Sequence, residues 1–277
     1  MALLQVNFLS KTLGRTVPMN VILPVDKLSI PGMPVKENKP FKTLYLLHGV
    51  LGNYTDWITG TNIMRWAEEK DLAVVMPSGD NRFYVDNPSG HNYYGEFIGK
   101  ELVEITRKMF PLSNKREDTF IAGLSMGGYG AIRNGLKYHD TFGCIAGLSS
   151  ALETESIVKR TDESPLCFLN RSFSEGVFGD LTKLIDSDMN PKWLPRKRVE
   201  EKANIPKIYM ACGDQDMLLE ANRDFKNYLQ DIGIPVTYEE GPGGHDWDFW
   251  DQYIKKVLNW LPLENNTQGI NSGNVGI

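Results

Sequence analysis

A chain of 277 residues with 41% hydrophobic residues is long enough to bury one large core, and α/β folds reach this size as one domain. Its 30 Lys and Arg stand against 35 Asp and Glu, a net charge of −5, which is unhelpful for gripping a phosphate backbone. Nucleic acid is therefore not an expected partner.

The opening segment MALLQVNFLSKTLGRTVPMNVILP interrupts each apolar stretch with polar residues within a few positions. It predicts neither a signal peptide nor a membrane span, so a cytoplasmic chain with no membrane partner is expected. Leu3 to Ser10 and Arg15 to Leu23 flank a turn at Gly14 with no helix between them, which predicts an antiparallel hairpin at a sheet edge.

Short β-branched and apolar runs then recur at Thr43 to Leu47, Leu72 to Met76, Thr119 to Ala122, Cys144 to Leu148 and Ile208 to Cys212. Helical segments separate them, the alternation of a parallel sheet, so the whole sheet is predicted to be mixed. The helices show apolar stripes at 3.6-residue spacing: Ile98, Leu102, Ile105 and Met109, then Ala221, Phe225, Leu229 and Ile232, then Trp250, Ile254, Val257 and Leu261.

From Ala151 to Ile205 the rhythm breaks into charged residues, isolated apolar clusters and prolines (Pro165, Pro191 and Pro195, with Pro206 at its boundary). A cap over the carboxyl edge of the sheet fits this stretch, and a surface excursion covering a sheet edge is the plainer alternative. The last residues, 264–277, are polar and rich in Gly and Asn, and a mobile tail is expected after a single domain over 1–263. Cys144, Cys167 and Cys212 are widely spaced and odd in number, and they read as core thiols, neither bridged nor metal-bound.

The sharpest local signal is Gly123-Leu124-Ser125-Met126-Gly127. Such a pattern arises by chance in roughly one chain in ten, so its context decides. An apolar strand enters it and a helical stripe (Tyr129, Ile132, Leu136) leaves it, as a nucleophile elbow requires. The serine must sit on a sharp, strained turn, and the flanking Gly123, Gly127 and Gly128 supply room for strand and helix to approach. A phosphate-binding loop is the competing reading, but neither a Walker lysine nor Gly-x-Gly-x-x-Gly spacing is present.

A serine hydroxyl needs a base, and the chain has four histidines. In strand-turn-helix serine hydrolases the order is serine, acid, histidine, which leaves His139 and His245. His139 lies about four turns down the helix from the elbow and reads as a helix C-terminal residue. His245 follows Gly241-Pro242-Gly243-Gly244, a turn between the strand Val236 to Glu239 and the last helix, and is the predicted base. The acid belongs after the Ile208 to Cys212 strand, where Asp214 and Asp216 share a loop. Asp216 is preferred because the loop needs residues to turn outward first, with helix capping as its plainer role.

The oxyanion needs two backbone N–H donors, predicted at Met126 and, in the loop His48-Gly49-Val50-Leu51-Gly52-Asn53, at Val50. No HExxH pair or Cys/His cluster occurs, so no metal is expected.

At these residues the chain resembles the esterase D branch of the α/β-hydrolases, which includes S-formylglutathione hydrolases, tributyrin-type bacterial esterases, and acetyl-xylan and feruloyl esterases. It looks closest to the tributyrin-type group. The matching segments are LLHGVLGNYTDW, MPSGDNRFYVD, IAGLSMGGYGA, ACGDQDMLLEANRDF and EGPGGHDWDFWDQYIKKVLNWL, which cover most of the chain outside the cap and tail. The resemblance implies an α/β-hydrolase fold with a mostly parallel eight-stranded sheet, an N-terminal antiparallel hairpin, helices on both faces and a cap insertion. It also implies a nucleophile at Ser125, an acid at Asp216, a base at His245, oxyanion donors at Val50 and Met126, and no cofactor.

Short-acyl or aryl esters, including acetylated or feruloylated carbohydrates, are the implied substrates. The 48 to 50 segment departs from the S-formylglutathione hydrolase pattern, which weighs against a dedicated glutathione thioester role. Among the aromatics near the site in sequence, Trp57, Tyr84 and Trp247 are the candidates for substrate contact, although such residues more often pack in cores. The competing functions are an acyltransferase using the same residues and a non-catalytic binding protein on a hydrolase scaffold, which would typically lack one of the three triad candidates. The sequence is compatible with a homo-oligomer.

Overall fold

The computed structural model describes residues 1–28 and 39–264; the expected tail beyond Glu264 lies outside the described residues. Eight strands form one sheet: β1 (Ala2–Ser10), β2 (Arg15–Leu23), β3 (Thr43–Leu47), β4 (Ala73–Pro77), β5 (Thr119–Leu124), β6 (Cys144–Leu148), β7 (Lys207–Gly213) and β8 (Val236–Gly241). Their order across the sheet is β1-β2-β4-β3-β5-β6-β7-β8. The first two pair antiparallel, β2 joins β4 antiparallel, and every later neighbour is parallel. This is the mostly parallel α/β-hydrolase sheet with its N-terminal hairpin.

Alternate residues of each strand feed opposite cores, as the two-residue period of a strand demands. Tyr45, Leu47, Val75, Ile121, Ile145 and Met210 pack on one face, against the helices α1 (Leu102–Met109), α2 (Met126–Lys137) and α3 (Leu219–Asp231). Leu44, Leu46, Val74, Phe120, Ala146 and Tyr209 pack on the other, under the helix α4 (Trp247–Trp260) and the Ile63–Glu69 helix. Because both faces are covered, the central strands are buried from end to end, which is why they read as unbroken apolar runs.

Two expectations need correction. The stripe expected to end at Met109 turns away after Leu102: the helix opens with a π turn at Phe97–Glu101, which adds a residue to one turn and rotates the residues beyond it. Val103 and Thr106 thus take inner positions, and Met109 is 42% exposed. Cys167 is not a core thiol. It sits exposed on a single 3-10 turn of the 151–205 segment, whereas Cys144 and Cys212 lie on buried strands.

The 151–205 segment follows the carboxyl end of β6 and carries three short helices, Thr154–Val158, Arg171–Phe178 and Trp193–Glu200. It docks on α2 through a charged cluster: Asp188 pairs with Arg133 at 2.8 Å and with Lys137 at 2.7 Å. The Tyr129 hydroxyl adds a bond to the Met189 carbonyl at 2.5 Å. The insertion is therefore fastened to the helix that begins beside Ser125.

Candidate active site

Ser125 stands between the fully buried strand β5 and α2, with φ 53° and ψ −118°. A non-glycine residue holds this backbone only when its surroundings impose it. Here the Ser125 N–H donates to the Leu148 carbonyl at 2.9 Å, and its own carbonyl accepts from Tyr129 at 3.0 Å and Ala151 at 3.1 Å. The elbow closes because Gly123 and Gly127 lack side chains. A Cβ on Gly123 would overlap the Gly127 carbonyl, and one on Gly127 would overlap the Leu47 and His48 carbonyls.

His245 arrives from the other side of the sheet. The turn between β8 and α4 is pinned to the preceding loop: Asp214 N–H donates to the Gly241 carbonyl at 2.9 Å, and Gln215 N–H to the Gly243 carbonyl at 3.0 Å. Asp246 then caps α4 by accepting from the Phe249 N–H at 3.0 Å. These contacts leave the imidazole between two partners. Its Nε2 accepts from the Ser125 hydroxyl at 3.0 Å, and its Nδ1 faces the Asp216 carboxylate at 2.9 and 3.1 Å. With the carboxylate as acceptor, Nδ1 carries the proton and the Nε2 lone pair is presented to the serine.

Asp216 is 6% exposed. Burial opposes its ionisation, but hydrogen bonds from His245, from the Ser149 hydroxyl and from the Leu218 N–H outweigh it and hold the carboxyl below its ordinary range. Asp214, the other candidate acid, contacts the Gly243 N–H at 3.4 Å and braces the histidine turn instead. Three stretches distant in sequence thus form one chain of contacts from hydroxyl to imidazole to carboxylate.

The loop after β3 borders the serine. Val50 is half-buried and Met126 opens α2; among the described residues neither backbone N–H donates to a protein acceptor, which leaves both available to an oxygen. The loop is rigidly braced. His48, 1% exposed, donates from Nδ1 to the Gly49 carbonyl at 2.7 Å and accepts at Nε2 from the Gly79 N–H at 2.8 Å. Burial lowers its pKa, so it is a neutral spacer of fixed tautomer.

Trp57 and Tyr84 belong to the same bracing. Their exposures are 1% and 0%, and they donate to the Leu47 and His48 carbonyls, each at 3.0 Å. Their burial removes them as walls of an open substrate pocket; they hold up the loop that carries Val50. Trp247 is half-buried, and its ring meets Trp57 and Trp250 edge-on at 5.5 and 5.1 Å. Sequence reasoning passed over Ser149 and Asn222. Asn222 accepts from the Ser150 N–H at 3.2 Å and donates to its carbonyl at 3.0 Å, bracketing the segment behind Ser125. Nothing local in the sequence marks either residue.

A family model described as "Putative esterase" matches residues 10–261, most of the chain. The chain belongs to this esterase family. The esterase is 48% identical over 261 residues to an acetyl esterase of Caldicellulosiruptor saccharolyticus, covering 94% of this chain and 98% of that protein. Among solved structures it is similar to FphF, a fluorophosphonate-binding serine hydrolase of Staphylococcus aureus, with TM-score 0.82 and 37% identity over 94% of this chain and 98% of that one. It is also similar to an S-formylglutathione hydrolase of Staphylococcus aureus, with TM-score 0.80, 38% identity and the same coverage. A ferulic acid esterase matches with TM-score 0.69 and 25% identity over 94% of this chain and 97% of that one. The esterase is a carboxylic ester hydrolase. Among its described residues no helix is long and apolar enough to cross a membrane, and no group of three or more His, Cys, Asp or Glu could hold a metal ion.

Proposed function

We propose that this esterase is a serine carboxylesterase that hydrolyses short acyl esters, acetyl esters foremost, through an acyl-enzyme on Ser125. The continuous Ser125–His245–Asp216 contact chain carries the reading, with Nε2 at 3.0 Å from the hydroxyl and Nδ1 at 2.9 Å from the carboxylate. As Ser125 Oγ attacks the ester carbonyl, His245 takes its proton and Asp216 stabilises the imidazolium. The Val50 and Met126 N–H groups receive the developing oxyanion. The alcohol leaves with the proton from His245, and water, activated by the same imidazole, releases the acid.

The relation to an acetyl esterase supports the short acyl group, and the similarity to a ferulic acid esterase supports aryl esters as a second class. Acetylated or feruloylated carbohydrates fit both. We read the 151–205 segment as a cap, because it leaves the sheet at the carboxyl end of β6 and is fastened to α2. Trp247, half-buried on the helix behind His245, remains the candidate for substrate contact.

A fluorophosphonate probe followed by peptide mass spectrometry should place the label on Ser125, and Ser125→Ala should abolish label and activity together. Labelling elsewhere in folded protein would defeat the reading. Rates on p-nitrophenyl esters from acetyl to octanoyl, acetylated sugars and methyl ferulate should then peak at the shortest acyl chains. A second reading, thioester hydrolysis of S-formylglutathione, is supported by the 38% identity to the Staphylococcus aureus enzyme. It requires S-formylglutathione to be turned over faster than every oxygen ester in the panel.

A further inference from the structure

We propose that Asn81 is a positioning residue for the oxyanion hole: its side-chain carbonyl accepts the Leu51 N–H at 2.8 Å and holds the Gly49–Gly52 turn in the strained form that presents the Val50 N–H to the substrate. The inference rests on the reading of Val50 as an oxyanion donor.

A bond from the Gly52 N–H to the Gly49 carbonyl at 3.3 Å closes the turn, which makes Val50 and Leu51 its two central residues. Leu51 has φ 67°, whereas Val50 is not among the non-glycine residues of positive φ, and that combination is a type II turn. Such a turn asks for glycine or asparagine at its third position, so a leucine there sits in a left-handed conformation that it would leave if free. Its side chain offers little compensation, being 70% exposed.

The competing form is one rotation away. Types I and II differ by a half-turn of the central peptide, and type I returns the third residue to negative φ. That rotation exchanges the Val50 carbonyl and the Leu51 N–H, and so redraws the dipoles beside the Val50 donor. Asn81 opposes it, because the Leu51 N–H loses its acceptor as soon as the peptide turns over. The Asn81 bond is also shorter than the bond that closes the turn, 2.8 against 3.3 Å.

Asn81 is able to do this because its own loop is anchored. Gly79, two residues before it, donates to His48 Nε2 at 2.8 Å, so one loop grips the 48–51 segment at both ends. Asp80 accepts from the Tyr94 hydroxyl at 2.5 Å and pairs with Arg15 on β2, and Arg82 donates to the Gly176 carbonyl of the 151–205 segment at 3.1 Å. Asn81 therefore stands between two fixed neighbours.

The test is a double-mutant cycle of Asn81→Ala and Leu51→Gly, with circular dichroism and thermal unfolding as checks of folding. It is read as kcat and KM on p-nitrophenyl acetate and as the rate at which a fluorophosphonate probe labels Ser125. Asn81→Ala should lower kcat about tenfold with KM little changed, and should slow labelling in parallel, because the phosphonyl oxygen occupies the same hole. Glycine holds a type II turn unaided, so in the Leu51→Gly background the same change should cost less than about threefold. A folded Asn81→Ala enzyme with parental kcat, a loss confined to KM, or an equal loss in both backgrounds would overturn the proposal.

Should Asn81→Ala fail to fold, Asn81→Ser, whose side chain is too short to reach Leu51, is held to the same criteria. Val50→Pro separates the two levels. Proline suits the second position of a type II turn and removes the N–H, so kcat should fall about 10²-fold or more. A folded Val50→Pro enzyme with parental kcat would sink the oxyanion reading of Val50, whereas an inactive Val50→Pro enzyme beside a parental Asn81→Ala enzyme would sink only the role of Asn81.

Discussion

Replacing Asp216 by Asn tests the site through a single proton. In the parent, Oδ1 accepts from the Leu218 N–H at 2.8 Å and Oδ2 lies 2.9 Å from His245 Nδ1. An asparagine that keeps the Leu218 bond must leave its oxygen at the Oδ1 position, which turns its NH₂ toward Nδ1. Two N–H groups cannot face each other, so the imidazole gives up its Nδ1 proton, accepts from the amide and carries its proton on Nε2. That proton then points at Ser125 Oγ, 3.0 Å away, where a lone pair is needed. The enzyme keeps its shape and loses its base. By analogy with the same substitution in serine proteases the expected loss in kcat is about 10⁴-fold, or about 5.5 kcal/mol of transition-state stabilisation.

The assay is kcat and KM on p-nitrophenyl acetate, with thermal unfolding as the control for folding. Asp214→Asn is the internal comparison, since the exposed Asp214 carboxylate accepts from the Gly243 N–H at 3.4 Å and, among the described residues, does not meet the imidazole. It should lose less than about tenfold. An Asp216→Asn enzyme within tenfold of the parent, or an Asp214→Asn enzyme equally damaged, would refute the reasoning.

Asp188→Asn should cost about 3 kcal/mol in urea unfolding, because the Arg133 side chain is wholly buried and, among the described residues, keeps only Asp86, at 3.4 Å, as an acidic partner; an unchanged midpoint would refute it. Gly127→Ala should lower stability by at least about 3 kcal/mol and abolish fluorophosphonate labelling, since its Cβ meets backbone that cannot yield, whereas Gly176→Ala, with nothing within 4 Å, should be neutral or slightly stabilising. Burial opposes the ionisation of Asp216, Asp188 and Glu101, but hydrogen bonds outweigh it for all three, joined at Asp188 by the Arg133 and Lys137 charges, and hold each below its ordinary pKa. Their stabilising contribution is complete above the unfolded carboxyl range, about pH 4 to 5, and falls away as the pH drops through the folded-state values. Urea midpoints should thus be level from about pH 7 to 5 and decline below about 4, and equal midpoints at pH 6 and 3 would contradict the assignment.

The sequence by itself determined the features that depend on neighbours along the chain. The alternation of buried runs and striped helices announced the mixed sheet, because both strand burial and helix faces follow fixed local periods. The elbow was legible because Gly123 and Gly127 are needed within two residues of Ser125, and His245 because a glycine-rich turn after a strand is a local feature. The sequence favours Asp216 over Asp214 on loop length, and the tertiary structure supplies the contact behind that preference: Asp216 meets the His245 imidazole 29 positions away, whereas Asp214 accepts from the Gly243 N–H. Tertiary structure also placed Trp57 and Tyr84, candidate pocket walls, as braces of the loop that carries Val50, and it rotated Met109 out of the core at a π turn. Ser149 shows the division most clearly: its partner Trp250 lies 101 residues further on, so no pattern along the chain could disclose the bond. Local chemistry chooses the elements and the reactive groups, whereas the proton's place on the imidazole is fixed only when distant strands close the sheet.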